Sequence, residues 1–77
     1  MSPPGEIALI NQGNKVFRAH FTGLHNWRTG TYQYRVDIPG VELSMVVIDV
    51  SRAELRRFIH GKKPIRIIAR DANDNHD

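Results

Sequence analysis

Histidine is the residue type in this chain best suited to acid–base chemistry, because its pKa lies closest to neutral pH. The chain contains four histidines: His20, His25, His60 and His76. A catalytic base needs an oriented nucleophile or a second acid, and the spacing suggests neither a Ser-His-Asp arrangement nor paired carboxylates. His20 with Arg18, Gln33 or Arg35 beside it resembles the groups of a small metal-free ribonuclease, which remains one hypothesis. We nevertheless expect a protein that is not an enzyme.

The residues that bind metals or phosphates elsewhere do not occur here at useful spacings. His20 and His25 are five positions apart, but two imidazoles without a third ligand do not make a zinc site. The D-x-N-x-N that begins at Asp71 matches the start of a calcium loop, yet His76 stands where that loop needs glycine. The glycines have neither the Walker spacing nor a G-x-G-x-x-G pattern. We therefore expect no metal and no cofactor.

The stretch GLHNWRTG, residues 23–30, places the chain's single tryptophan in a polar loop. An indole is expensive to leave in water, so Trp27 either folds back over the edge of a small core or contacts a partner. As a contact residue it could stack on a nucleobase. It could equally anchor a protein interface, with His25 and Arg28 beside it.

Basic residues dominate the chain outside its last seven positions. The formal net charge is +3, but residues 1–70 hold all eleven Lys and Arg residues and only five of the eight acids. This balance favours an anionic partner, either nucleic acid or an acidic protein surface, although charge kept for solubility would explain it as well. The absence of cysteine, of a secretory signal and of an apolar run of about 20 residues favours a cytoplasmic protein with no membrane contact.

Polar and apolar residues alternate in two segments that must position many of these side chains. Residues 16–22 direct Phe17, Ala19 and Phe21 to one face, and residues 31–38 direct Tyr32, Tyr34, Val36 and Ile38 to one face. Period-two alternation predicts half-buried strands with one wet face. The wet face would carry Arg18, His20, Thr22, Gln33 and Arg35. Tyr32 and Tyr34 are thus expected in the interior.

A short apolar run at residues 7–10 predicts a first strand, and residues 41–50 predict a fourth. Residues 45–48 are apolar without interruption. This pattern predicts a central strand that is covered on both faces, or a bulge that shifts the register. The same apolar run would permit a homodimer.

Ser51-Arg-Ala-Glu54 is a capping box that predicts a helix from Ser51 to about His60. Val50 and Leu55 occupy the two positions of a hydrophobic staple. Gly61 suits the left-handed residue that follows a helix end, and Pro64 prevents continuation. The expected inward residues are Leu55, Phe58 and Ile59, and the expected outward residues are Arg56, Arg57 and His60. Residues 65–70 alternate again and predict a fifth strand.

The predicted order is β-β-β-β-α-β in one small α+β domain, an antiparallel sheet with one short helix packed on it. The alternative architecture is an SH3-like small barrel. The domain would span residues 6–70, between a flexible N-terminus at residues 1–5 and a disordered acidic tail at residues 71–77.

The sequence thus predicts a small, basic, non-catalytic binding or regulatory protein. Its partner would be nucleic acid, as RNA or a single strand, or a complex that handles nucleic acid. The alternative is a protein-binding inhibitor or adaptor, of the type that phages and mobile elements encode, docking through the Trp27 loop. The candidate partner-binding residues are Arg18, His20, His25, Trp27, Arg28, Gln33, Arg35, Arg56, Arg57, Lys62 and Lys63.

Overall fold

A computed structural model of the 77-residue chain describes residues 2–42 and 45–67. Five strands and one helix occur in the predicted order. They are β1 (Glu6–Ile10), β2 (Val16–Asn26), β3 (Thr31–Val36), β4 (Val47–Ser51), α1 (Arg52–Gly61) and β5 (Ile65–Arg66). Residues 68–70 of the predicted fifth strand and the acidic tail at residues 71–77 lie outside the described residues. In the described part, no helix is long and apolar enough to cross a membrane.

The strands form one curled sheet, a half-barrel, in the order β4-β3-β2-β1-β5. The first four strands pair antiparallel with their sequence neighbours, because short connections allow only that direction. The helix connects β4 at one edge of the sheet to β5 at the other edge, where β5 pairs parallel with β1. The predicted α+β class is confirmed, and the sheet is mixed because of β5.

The predicted alternation separates the two faces of the sheet. We call the side that carries the core the inner face and the opposite side the outer face. Phe17, Ala19 and Phe21 pack into or against the core, whereas Arg18 and His20 are exposed on the outer face. The buried core consists of Ile7, Leu9, Ala19, Tyr32, Tyr34, Val36, Val50, Leu55 and Ile65.

Tyr34 lies at the centre of this core and joins it to the segment before β1. Its hydroxyl donates to the carbonyl of Pro4 at 2.6 Å. Burial raises the pKa of Tyr34 from 10.0 to about 12, with a smaller contribution from Tyr32. A second bond, from the amide of Phe21 to the carbonyl of Gly5 at 2.9 Å, also holds this segment against the sheet.

The predicted capping box begins α1. The Ser51 hydroxyl accepts from the amide of Glu54 at 3.2 Å, and Glu54 Oε1 accepts from the amide of Ser51 at 3.1 Å. The inner side of the helix is narrower than predicted. Leu55 is buried and Phe58 is half-buried, but Ile59 is 41% exposed, so its assignment to the core is wrong. A ten-residue helix on a small sheet has contact area for only about one residue per turn.

The C-terminus of α1 differs from the prediction by one residue. Gly61 is still helical, and the left-handed position is taken by Lys62, with φ 54° and ψ 32°. The amide of Lys62 donates to the carbonyl of Phe58 at 2.8 Å and ends the helix. The predicted role of Gly61 as the left-handed residue is therefore wrong, since one more residue fits the helical hydrogen-bond pattern.

β4 is an edge strand and not the central strand that its apolar run predicts. Its ladder begins at Val47, and in residues 2–42 and 45–67 its only strand partner is β3. Met45 is 87% exposed, and the side chains of Val46 and Val47 are also exposed. The prediction failed because a run of apolar residues records hydrophobicity but does not show that a second strand or a helix covers it.

Candidate functional site

The loop that carries Trp27 is the turn of a long β2–β3 hairpin. Asn26 organises it, because Asn26 Oδ1 accepts from the amides of Arg28 at 3.0 Å and Thr29 at 3.4 Å. The amide of Gly30 donates to the carbonyl of Asn26 at 2.7 Å, and Gly30 adopts a positive φ of 73°. The connection is four residues long, and β2 continues beyond its predicted end at Thr22. We call residues 24–30 the hairpin tip.

A bulge in β2 allows this extension. Phe21 and His25 each pair with a residue of β3. The three residues between them on β2, Thr22, Gly23 and Leu24, lie opposite the single residue Gln33 on β3. Gly23 has a φ of 93°, a conformation that glycine adopts without strain. The Thr22 hydroxyl lies within hydrogen-bond distance of the Gln33 carbonyl at 3.3 Å and of Gln33 Oε1 at 3.1 Å, and it links the two strands where the ladder is interrupted. β2 therefore has two more residues than β3 in this stretch. Because side chains alternate with a period of two, an even number of added residues leaves His25 on the same face as Phe21.

His25 connects Trp27 to the core. Its ring stacks on Tyr32, the residue opposite it on β3, with centroids 4.3 Å apart and planes inclined by 10°. The Trp27 ring lies 4.4 Å from His25 at 57°. Trp27 is nevertheless 85% exposed, so it does not fold back over the core. Because Tyr32 belongs to the core, this column of three rings rises from the inner side of the sheet, which also carries α1.

The outer face holds the predicted polar cluster, and carboxylates lie against two of its members. The cluster consists of Arg18, His20, Gln33 and Arg35. Arg18 Nη1 lies 3.7 Å from Glu6 Oε1. The two ring nitrogens of His20 face Glu6 Oε2 at 3.7 Å and Asp37 Oδ2 at 2.7 Å. Both ring nitrogens of His20 therefore face carboxylate oxygens, and Nε2 is within hydrogen-bond distance of Asp37.

The remaining predicted residues lie on or after α1. Arg56, Arg57, Lys62 and Lys63 are all exposed, as are Arg52 and Arg66, which the prediction omitted. Residues 52–66 hold six Lys and Arg residues and one acid, whereas residues 2–51 hold four of each sign. The excess positive charge therefore belongs to the helical segment. The uneven distribution of charge can be read from the sequence, but the net charge of the whole chain does not show it.

The eleven predicted residues thus divide among three places. His25, Trp27 and Arg28 belong to the hairpin tip. The helix α1 begins near this tip, because Ser51 pairs with Thr31 at the same end of the sheet. The outer-face cluster lies on the other side. His20 and His25 are on opposite faces and cannot share a metal, and no cluster of three metal-binding side chains occurs in the described part of the chain.

Two exposed features of the structure were not anticipated as parts of a site. Leu24 is 60% exposed in the hairpin tip, three positions before Trp27, and a groove opens between α1 and β5. Leu24 was overlooked because the bulge that places it at the hairpin tip depends on pairing with β3, which no local pattern records.

No protein-family model matches the chain, and no curated protein or solved structure is significantly similar to it.

Proposed function

We propose that this protein is a non-catalytic binding protein that holds single-stranded nucleic acid, RNA in particular, on the α1 side of its sheet. The observation that carries the proposal is the concentration of positive charge in residues 52–66. Exposed arginine and lysine side chains bind phosphates without regard to sequence. A cytoplasmic site of action is part of the proposal.

Trp27 supports a single strand over a duplex as the ligand. One side of its ring meets His25, and most of the ring is exposed to solvent. A flat exposed ring beside a cation such as Arg28 suits stacking on an unpaired base, which a duplex does not present. Neighbouring strands are about 4.8 Å apart, so the tip and the start of α1 are roughly 10 Å apart across β3. A few nucleotides would span both.

The outer face is not part of the proposed surface. Arg18 and His20 already have carboxylate partners, and Asp49 stands opposite Gln33 on β4. A phosphate placed there would meet Glu6, Asp37 and Asp49 as well as the arginines. The repulsion offsets the attraction, so a phosphate chain gains little on this side.

A second candidate function is docking on an acidic protein surface through the hairpin tip, as an inhibitor or adaptor. The observation that favours it is that Leu24 and Trp27 are both exposed in the hairpin tip, because exposed apolar side chains on one tip are typical of an interface anchor. A homodimer through the exposed residues of β4 remains a further proposal, for which an oligomeric state measured in solution is the test.

A matched pair of double variants tests the main proposal. The first combines Arg56→Gln with Arg57→Gln on the helix, and the second combines Arg18→Gln with Arg35→Gln on the outer face. Each variant removes two guanidinium groups, and the two pairs lie on opposite sides of the sheet. Anisotropy of a labelled 12-residue RNA, measured between 50 and 200 mM salt, gives affinity and salt slope. We expect the helix variant to reduce the slope by about 0.7 for each lost phosphate contact, and the outer-face variant to leave it unchanged.

Three results contradict the proposal. Equal losses in both double variants would show that only net charge matters. An affinity for RNA that does not depend on salt would exclude nucleic acid as the ligand, and so would the absence of RNA binding by the unmodified protein. The acidic protein surface would then be the remaining candidate.

A further inference from the structure

A groove lies between the C-terminal half of α1 and β5. Its volume is about 480 Å³, which is within the usual range for small-ligand sites. Its apolar lining is Phe58 from the helix, Pro64 from the connection and Ile65 from β5. Phe58 is half-buried and Ile65 is buried, so the packing of the core holds this lining in place. The groove therefore has an apolar lining that is anchored in the core.

Cations surround this lining. Arg57, Lys63 and Arg66 contribute three permanent positive charges, and His60 stands beside them. The one acid among the lining residues is Glu54, whose Oε1 accepts from both the amide and the hydroxyl of Ser51 at 3.1 Å. That carboxylate serves the helix cap, so the groove as a whole attracts anions.

We propose that this groove receives one nucleotide of the bound strand. The base lies against Phe58 and Pro64, and the adjoining phosphates contact Arg57, Lys63 and Arg66. This inference rests on the proposed function and specifies where a base binds.

The nucleotide is favoured over an acidic peptide by the combination of charge and shape. A nucleotide joins a flat apolar ring to an anion a few ångströms away, which matches an apolar lining with cations around it. An aspartate or glutamate side chain offers the anion but no flat apolar surface, and it would leave Phe58 and Pro64 without a contact.

Gly61 allows the groove to be filled without disturbing the core or the charge. It lines the groove, its φ is not in the left-handed region, and no heavy atom other than its chain neighbours and the backbone of α1 lies within 4 Å of a Cβ placed there. Gly61→Leu therefore adds a side chain at the wall of the groove and keeps the helical backbone. Gly5→Leu is the matched control, because Gly5 also has open space around a Cβ and lies outside the groove.

The experiment compares two labelled strands of equal length at one salt concentration, a single-stranded RNA and an abasic strand with the same number of phosphates. We expect Gly61→Leu to weaken binding of the RNA about tenfold, the order of one lost stacking contact. The abasic strand should bind both proteins equally, and Gly5→Leu should behave as the unmodified protein. Circular dichroism checks that each variant is folded.

Four results overturn the inference. If Gly61→Leu binds RNA normally while Arg56→Gln with Arg57→Gln weakens it, the groove takes no base and the proposed function still stands. If Gly61→Leu weakens both strands equally, the groove contacts phosphates only. If the unmodified protein binds a polyglutamate peptide more tightly than RNA and Gly61→Leu abolishes this binding, the occupant is an acidic peptide. No binding of RNA by the unmodified protein overturns the proposed function and the inference together.

Discussion

Replacing Trp27 with alanine separates a contact residue from a structural one. Its only ring contact in the described residues is with His25, and 85% of the side chain is exposed. Removing it should change the free energy of unfolding by less than about 0.5 kcal/mol, as for other surface positions. Losing a stacked base costs about 1–3 kcal/mol, which weakens RNA binding from roughly fivefold to more than a hundredfold.

Urea unfolding followed by circular dichroism measures the stability of Trp27→Ala, and anisotropy of labelled RNA measures its affinity. The single tryptophan adds an independent signal, since its emission should be that of an exposed indole and should be quenched when RNA binds. Leu24→Ala is the control, because it removes another exposed apolar side chain from the same tip. It should leave RNA binding unchanged but weaken docking on a protein surface.

Either of two results would refute this reasoning. A loss of stability above about 1 kcal/mol would mean that the indole packs against the protein. Unchanged RNA affinity in Trp27→Ala would exclude the ring as a stacking platform. If Leu24→Ala and Trp27→Ala both fail to affect RNA binding but abolish capture of a protein partner, the hairpin tip is a protein anchor.

Two further predictions concern stability. The raised pKa of Tyr34, about 12 against 10.0 when unfolded, stabilises the fold below pH 10, and this contribution of about 3 kcal/mol is lost as the pH rises from 10 through 12. Tyr34→Phe should remove that alkaline loss and cost about 1 kcal/mol at neutral pH, where the bond to Pro4 disappears, and urea midpoints at pH 7, 10 and 11.5 measure both. Lys62→Gly should raise the free energy of unfolding by up to about 1 kcal/mol, because glycine adopts the left-handed conformation without strain. Lys63→Gly, outside that position, should not stabilise; the reverse order in thermal unfolding would contradict the assignment of the cap.

The features that the sequence predicted well are local. Alternation in residues 16–22 and 31–38 depends only on the period of a strand, and the capping box of Ser51 and Glu54 depends only on residues three apart. Both are properties of a single segment, and the fold preserves them.

The features that failed depend on partners that are distant in sequence. The cluster of Arg18, His20 and Arg35 reads as basic until the β1–β2 register brings Glu6 against it. Asp37 reaches His20 because the β2–β3 register pairs Ala19 with Val36, the residue before Asp37. The exposure of Met45 similarly depends on which strands stand at the edges of the sheet. Register and strand order decide these outcomes, and they are not encoded in any one segment.

The parallel pairing of β1 with β5 has a consequence for folding during synthesis. The hairpins of β1 to β4 join neighbours in sequence and can form as the chain emerges from the ribosome. One edge of β1 stays open until α1 and β5 have been made, because Leu9 pairs with Ile65. Until then the apolar inner face lacks Leu55 and Ile65, and an open strand edge can recruit other chains. The helical segment that carries the positive charge is therefore also the part whose arrival completes the domain.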